Sequence, residues 1–229
     1  MKKKPSPWGA WLVRIGDAFA PSNVKRSLSR LADDGFVKLG VLPEKMDGAG
    51  KILHISDTPA AMYGYLARVL RRTDPAVVIH TGDLADDIKL ALYPSEADCY
   101  AAAARRLVNI LLAPHRTVIL ALGNHDRADL LPPLPSQCVL CDNAVSMAIF
   151  GVRFRISHYV ENVLENPERY NLFGHDPGRG SFVDDEGRYF LNGMDAMRMI
   201  DPVTEEMWPL SYPKSAFNAR NMRGGRMAK

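Results

Sequence analysis

Four apolar runs in this chain each stop at residues that carry ligand chemistry, and no other feature constrains the fold as strongly. Lys51 to Ser56 leads into Asp57, Ala76 to His80 into Gly82-Asp83, Thr117 to Leu122 into Gly123-Asn124-His125-Asp126, and Arg153 to Ser157 into His158. A shorter run, Tyr170 to Phe173, delivers Gly174-His175. Between the first three runs lie two stretches of helical pattern, Ala60 to Arg72 and Ala97 to Leu112. Strand, helix and strand in alternation, with strands rich in Val, Ile and Leu, imply a parallel sheet covered by helices. Ligands of such sheets collect beyond the carboxyl ends of the strands, where each of these clusters falls.

After Asn124 the pattern changes. The runs at Val139 to Leu140, Met147 to Ile156, Tyr170 to Phe173, Arg188 to Asn192, Met197 to Ile200 and Glu206 to Leu210 are short and separated by Gly, Asp and Pro, without long helices between them. They predict a second sheet, largely antiparallel.

Upstream, Trp8, Trp11, Leu12, Ile15 and Phe19 recur at helical spacing, and a second helix is expected over Asn23 to Leu31. Their apolar stripe suits the protein's own core, a membrane surface or a partner. Residues 1–50 therefore read as an N-terminal helical extension and linker, 51–215 as the core domain, and 216–229 as a basic C-terminal tail. A net charge of +3 announces neither a nucleic-acid nor a membrane protein, and the basic tail is the one hint of nucleic acid. No run approaches the roughly 20 apolar residues of a membrane span. The three cysteines, Cys99, Cys138 and Cys141, make no disulfide framework and suit a reducing compartment, hence a cytoplasmic expectation. Cys138 and Cys141 sit in a stretch that reads as a buried strand rather than half of a zinc site. Nothing in the pattern fixes an oligomeric state.

In order and strand context, Asp57, Gly82-Asp83-Leu84-Ala85-Asp86, Gly123-Asn124-His125-Asp126, His158 and Gly174-His175 resemble the motif blocks of the calcineurin-like metallophosphoesterases, over roughly Lys51 to Asn192. The resemblance implies a four-layer α/β/β/α sandwich with two central mixed sheets. It also implies hydrolysis of a phosphomonoester or phosphodiester by metal-bound hydroxide. Asp83 resembles the ligand that bridges two ions, Asn124, His158 and His175 the remaining ligands of one ion, and Asp57 a ligand of the other. His125 resembles the family's catalytic histidine, with Asp126 expected to orient its ring and favour the imidazolium. Hard oxygens with imidazole suit Mn, Fe or Zn. Arg127 and Arg179, each beside a motif block, are candidates for gripping phosphate oxygens.

The chain departs from the family at two places. Where the family has D-x-H, this chain has Asp57-Thr58-Pro59, and where it has G-H-x-H, this chain has Gly174-His175-Asp176-Pro177. Both missing histidines belong to one metal pocket, which predicts a single tightly held ion and a second, weak one at most. Asp176, Asp86 and Asp87 are candidate substitutes. Thr58 is expected to cap the helix near Ala60, and Asp176-Pro177-Gly178 to form a tight turn. The alternative reading is a metal-binding pseudoenzyme, or a protein that binds phosphate or nucleic acid. With no insertion long enough for a cap, the cleft is expected to be open.

Overall fold

Residues 46–221 are described in the computed structural model of the protein. The expected N-terminal helices lie outside these residues. The first sheet runs β11-β10-β1-β2-β3-β4, from Ile52–Ile55 (β1), Val77–His80 (β2), Thr117–Ala121 (β3), Cys138–Cys141 (β4), Met197–Asp201 (β10) and Glu206–Leu210 (β11). Strands β1 to β4 are parallel, as the alternation with α1 (Tyr63–Thr73) and α2 (Ala97–Leu111) demands, while β10 joins β1 antiparallel with Ile52 opposite Ile200. The second sheet runs β5-β6-β7-β9-β8, from Val145–Ile149 (β5), Val152–Ile156 (β6), Tyr170–Phe173 (β7), Phe182–Val183 (β8) and Tyr189–Asn192 (β9).

Side chains alternate between the faces of each strand, so the first sheet feeds two cores. Leu53, Ile55, Val78, Val118 and Leu120 meet Leu66, Val69, Leu70, Leu107 and Val108 of the two helices. Their neighbours Ile52, Val77, Ile79 and Ile119 meet Phe154, Ile156, Tyr170 and Leu172 of the second sheet. The outer face of that sheet is covered by α3 (Val160–Glu165), whose Val160 and Val163 rest on Phe173 and Phe190. The result is a four-layer sandwich with two mixed sheets.

Several expectations are corrected by non-local pairing. The second sheet is not largely antiparallel, because β6, β7 and β9 run parallel. The runs at Val139, Met197 and Glu206 belong to the first sheet instead. Met147 to Ile156 is a hairpin rather than one run: Phe150 and Gly151 both take positive φ, 51° and 79°, as a two-residue primed turn requires. Strand β4 is an edge rather than a buried strand, with Val139 and Leu140 exposed. The segment beyond Pro213, expected to begin a tail at Ala216, forms helix α4 (Lys214–Asn221), with Ala216 and Ala219 buried. Among the described residues no helix is long and apolar enough to cross a membrane.

Candidate metal centre

The carboxyl ends of β1, β2, β3, β6 and β7 open onto one cleft of about 400 Å³, lined by Asp57, Asp83, Asp86, Asn124, His125 and His175 among others. The chain leaves these strands abruptly. Asp57, Asp83 and His175 take positive φ of 50°, 57° and 63°, a region that costs an L-residue energy and is kept where surrounding structure enforces it. Gly123 sits where a Cβ would stand 2.6 Å from the Asp83 amide nitrogen, so only glycine lets the third strand end this close to the second.

Four ligand atoms converge. His158 Nε2 lies 3.2 Å from Asn124 Oδ1, 3.1 Å from His175 Nδ1 and 3.7 Å from Asp83 Oδ2. Ligands about 2.0–2.2 Å from a tetrahedral ion stand about 3.3–3.6 Å apart, so this set fits one divalent ion. The tautomer agrees: His158 Nδ1 donates to the Thr81 carbonyl at 2.7 Å, which leaves the Nε2 lone pair facing the other ligands. Electrostatics argue the same way. Burial, reinforced by the carboxylates of Asp57, Asp126 and Asp86, pushes Asp83 well above the usual carboxylate range. Asp86 is pushed up to about 6 by burial and by Asp57. Carboxylates crowded in this way call for a cation.

The second pocket is built differently. Asp57 Oδ2 accepts from Ser56 Oγ at 2.5 Å and from the His175 amide at 3.3 Å. Pro177 lines the cleft, and Pro59 opens the short 3-10 turn Ala60–Met62. Of the candidate substitutes, Asp86 is buried in the cleft, and its carboxylate lies with Asp83 and the His125 ring in a cluster within 4.8 Å. Asp87 instead accepts from the Ala60 amide at 2.9 Å, taking the capping role expected of Thr58. Asp176 Oδ1 accepts from the Gly178 amide at 2.8 Å, closing the expected turn.

Thr58 does not cap because it completes a chain behind the site. The Gly82 amide donates to His80 Nδ1 at 3.2 Å, His80 Nε2 donates to Thr58 Oγ1 at 2.9 Å, and Thr58 Oγ1 donates to the Leu84 carbonyl at 3.0 Å. His80 therefore props the loop from beneath, as His54 does through Thr81 Oγ1 at 3.0 Å, while His115 pairs with Asp74 at the surface.

His125 lines the cleft and is 9% exposed, and its Nδ1 is buried with no hydrogen-bond partner. Burial first, then the charge of Lys89, pushes its pKa down to about 4, so the ring is neutral near pH 7. Asp126 turns elsewhere. Its Oδ2 accepts from the amides of Asp83 (2.7 Å) and Gly123 (2.8 Å), and its Oδ1 from the Leu84 amide (2.8 Å) and the Tyr100 hydroxyl (2.9 Å). It staples two ligand loops together rather than orienting the histidine ring.

Arg127 forks onto Asp129, with its Nε 3.0 Å from Asp129 Oδ1, and Arg179 lies 3.6 Å from Asp176; neither lines the cleft. The cations that do are Lys89 and Arg220. Arg220, from α4, donates to the carbonyls of Asp57 (2.7 Å), Ser56 (3.0 Å) and Met194 (3.3 Å). Lys89 pairs with Asp86 from three residues downstream, a spacing visible in the sequence. Arg220 had no such signal, since it arrives from what looked like a tail.

The chain resembles an archaeal phosphodiesterase (18% identity, TM-score 0.47, 69% of this chain and 96% of that one). It resembles Yfce, a phosphoesterase from E. coli, to the same extent (17%, 0.47, 69% and 96%). It also resembles Vps29 of Entamoeba histolytica complexed with zinc (15%, 0.40, 69% and 88%). No curated protein matches the chain. The sequence model of the calcineurin-like phosphoesterases matches residues 50–218, and the chain belongs to that family.

Proposed function

We propose that this protein is a metal-dependent phosphoesterase that hydrolyses a phosphomonoester or phosphodiester with one tightly held divalent ion, Mn, Fe or Zn. The observation that carries the reading is the convergence of Asp83, Asn124, His158 and His175 beside a histidine left out of that set. When bound, such an ion supplies a water of lowered pKa and offsets charge on a phosphoryl oxygen.

The chain's own groups do the rest. His158, locked by Thr81, keeps a bare nitrogen toward the ion. Asp126 holds the Asp83 and Gly123 loops at fixed separation, so the ligands need little rearrangement. His125, held neutral, donates a hydrogen bond to the phosphoryl or leaving-group oxygen as negative charge develops there. Arg220 fixes the backbone of Ser56 and Asp57 beneath the site. Three cysteines are too few and too odd in number for a disulfide framework, which supports a reducing compartment such as the cytoplasm.

The test is hydrolysis of bis-p-nitrophenyl phosphate with added Mn by wild type and His125→Ala, with metal content measured on both. The expected result is unchanged metal content and a kcat lower by about 10²-fold or more. Equal rates would remove His125 from the reaction. Absence of turnover in wild type with a full metal complement would favour a metal-binding pseudoenzyme, the reading that the two prolines support.

A further inference from the structure

We propose that Lys89 fills the role that Pro59 and Pro177 leave open: its ammonium, paired with Asp86, stands in for the second cation and clamps a non-bridging phosphoryl oxygen of the substrate. This rests on the phosphoesterase reading above.

The argument is one of charge and place. Asp57, Asp83 and Asp86 are three buried carboxylates around the half of the cleft that has lost its histidines, each at most 2% exposed. Arg220, which also lines the cleft, is matched in charge by the carboxylate of Asp126, so one divalent ion neutralises two of the three and the third needs a single positive charge. Lys89 supplies it with an ion pair to Asp86. A second divalent ion would instead leave this group of charges in excess, beside an ammonium that repels it. The lysine is aimed rather than dangling. Its flanking residues Ile88 and Leu90 are buried, its backbone is left-handed at φ 54°, and its side chain is only 22% exposed. The same cleft holds Asn124 and His125, so a phosphoryl group on the ion comes within reach of the ammonium. A lysine is suited to this, as a compact charge whose three donors serve a carboxylate and a phosphate oxygen together.

A lysine that merely solvates Asp86 would affect stability but neither metal count nor phosphate affinity. The intact protein is loaded with Mn, passed through a desalting column and counted, and inorganic phosphate is titrated in by calorimetry, for wild type, Lys89→Gln and Lys89→Arg. Wild type is expected to retain one Mn. Lys89→Gln is expected to take up a second, with phosphate binding about tenfold or more weaker while only one ion is present. Lys89→Arg is expected to keep one ion and most of the affinity. In wild type, phosphate is also expected to protect Lys89 from reductive methylation only when Mn is bound, a measurement that needs no variant to fold. One ion and equal phosphate affinity in wild type and Lys89→Gln, or methylation indifferent to phosphate, would each overturn the assignment of Lys89 alone, whereas two tight ions in wild type would overturn it together with the one-ion reading of the site. A wild type that holds no ion would overturn the phosphoesterase reading, and this inference with it.

Discussion

Replacing Asp126 with alanine separates two roles for that carboxylate by a measurable amount. If it oriented the His125 ring, its loss would alter turnover and leave the fold nearly untouched. The structure gives it four donors, three of them backbone amides from the loops after β2 and β3. Removing the acceptor leaves those amides unpaired. At about 1 kcal/mol for each of the four part-buried bonds, the typical net value and below the charge-assisted range, the loss is about 4 kcal/mol. That is a large share of the roughly 5–15 kcal/mol by which a domain is stable. It corresponds to a Tm lower by about 8–16 °C. The assay is urea unfolding of the chelated protein, with Tyr100→Phe as a one-bond comparison expected to cost about 1 kcal/mol. A loss under about 1 kcal/mol for Asp126→Ala, with turnover abolished, would refute the staple and restore the histidine-orienting role.

Other outcomes follow from the same geometry. Gly123→Ala places a Cβ 2.6 Å from the Asp83 amide nitrogen and 2.8 Å from His158 Cε1. Its Mn affinity, measured by calorimetry, is expected to fall by about tenfold or more, because the ligands are displaced rather than removed. Arg220→Ala frees three carbonyls and lifts a guanidinium from the Tyr212 ring, 4.3 Å away. It is expected to destabilise by about 2 kcal/mol, and to expose α4 to limited proteolysis before the rest of the domain. The pH dependence has two opposed parts in the metal-free protein. His125 and His80, held at about 4 and about 3 against 6.5 in the unfolded chain, contribute stability that is complete above 6.5 and lost as pH falls toward those values. Asp86, raised to about 6, contributes stability present below the ordinary aspartate value of 3.8 and lost as pH rises through 6. A bound ion reverses the second part by holding carboxylates ionised. The Tm gain from Mn is therefore expected to be large at about pH 7.5 and to shrink toward about pH 5, as scanning calorimetry can check.

The parts of the fold that were legible in the sequence are those set by local pattern. Tyr170–Phe173 and Glu206–Leu210 are strands at the predicted bounds, and Ala97–Leu111 is one residue short of its prediction, because apolar period and flanking Gly or Pro act within a few residues. Which sheet a strand enters is decided elsewhere. Nothing near Met197 says that Ile200 will face Ile52, since that pairing depends on how much of the chain has already been laid down. The strand-end positions of Asp57, Asp83, Asn124, His158 and His175 were readable for the same local reason. The partners of Asp126 were not, because an amide carries no mark of which carboxylate it will meet. Arg220 was hidden twice over, by composition typical of a solvated end and by hydrogen bonds to carbonyls, which every residue has.

The antiparallel seam between β1 and β10 also bears on how the molecule comes into being. A ribosome delivers β1 first and its partner on that edge only after the whole second sheet has emerged. Until then the strand whose residues are all buried in the finished domain presents an open hydrogen-bonding edge, the kind of surface that recruits foreign strands. Strands β2, β3 and β4 can line up on its other side early and bring Asp57 near Asp83 and Asn124. Nascent protein released before Met197–Asp201 would thus be a sticky half-sheet already carrying part of an ion site. For this chain, the interval between those two events is the window in which chaperones, or metal, have most to offer.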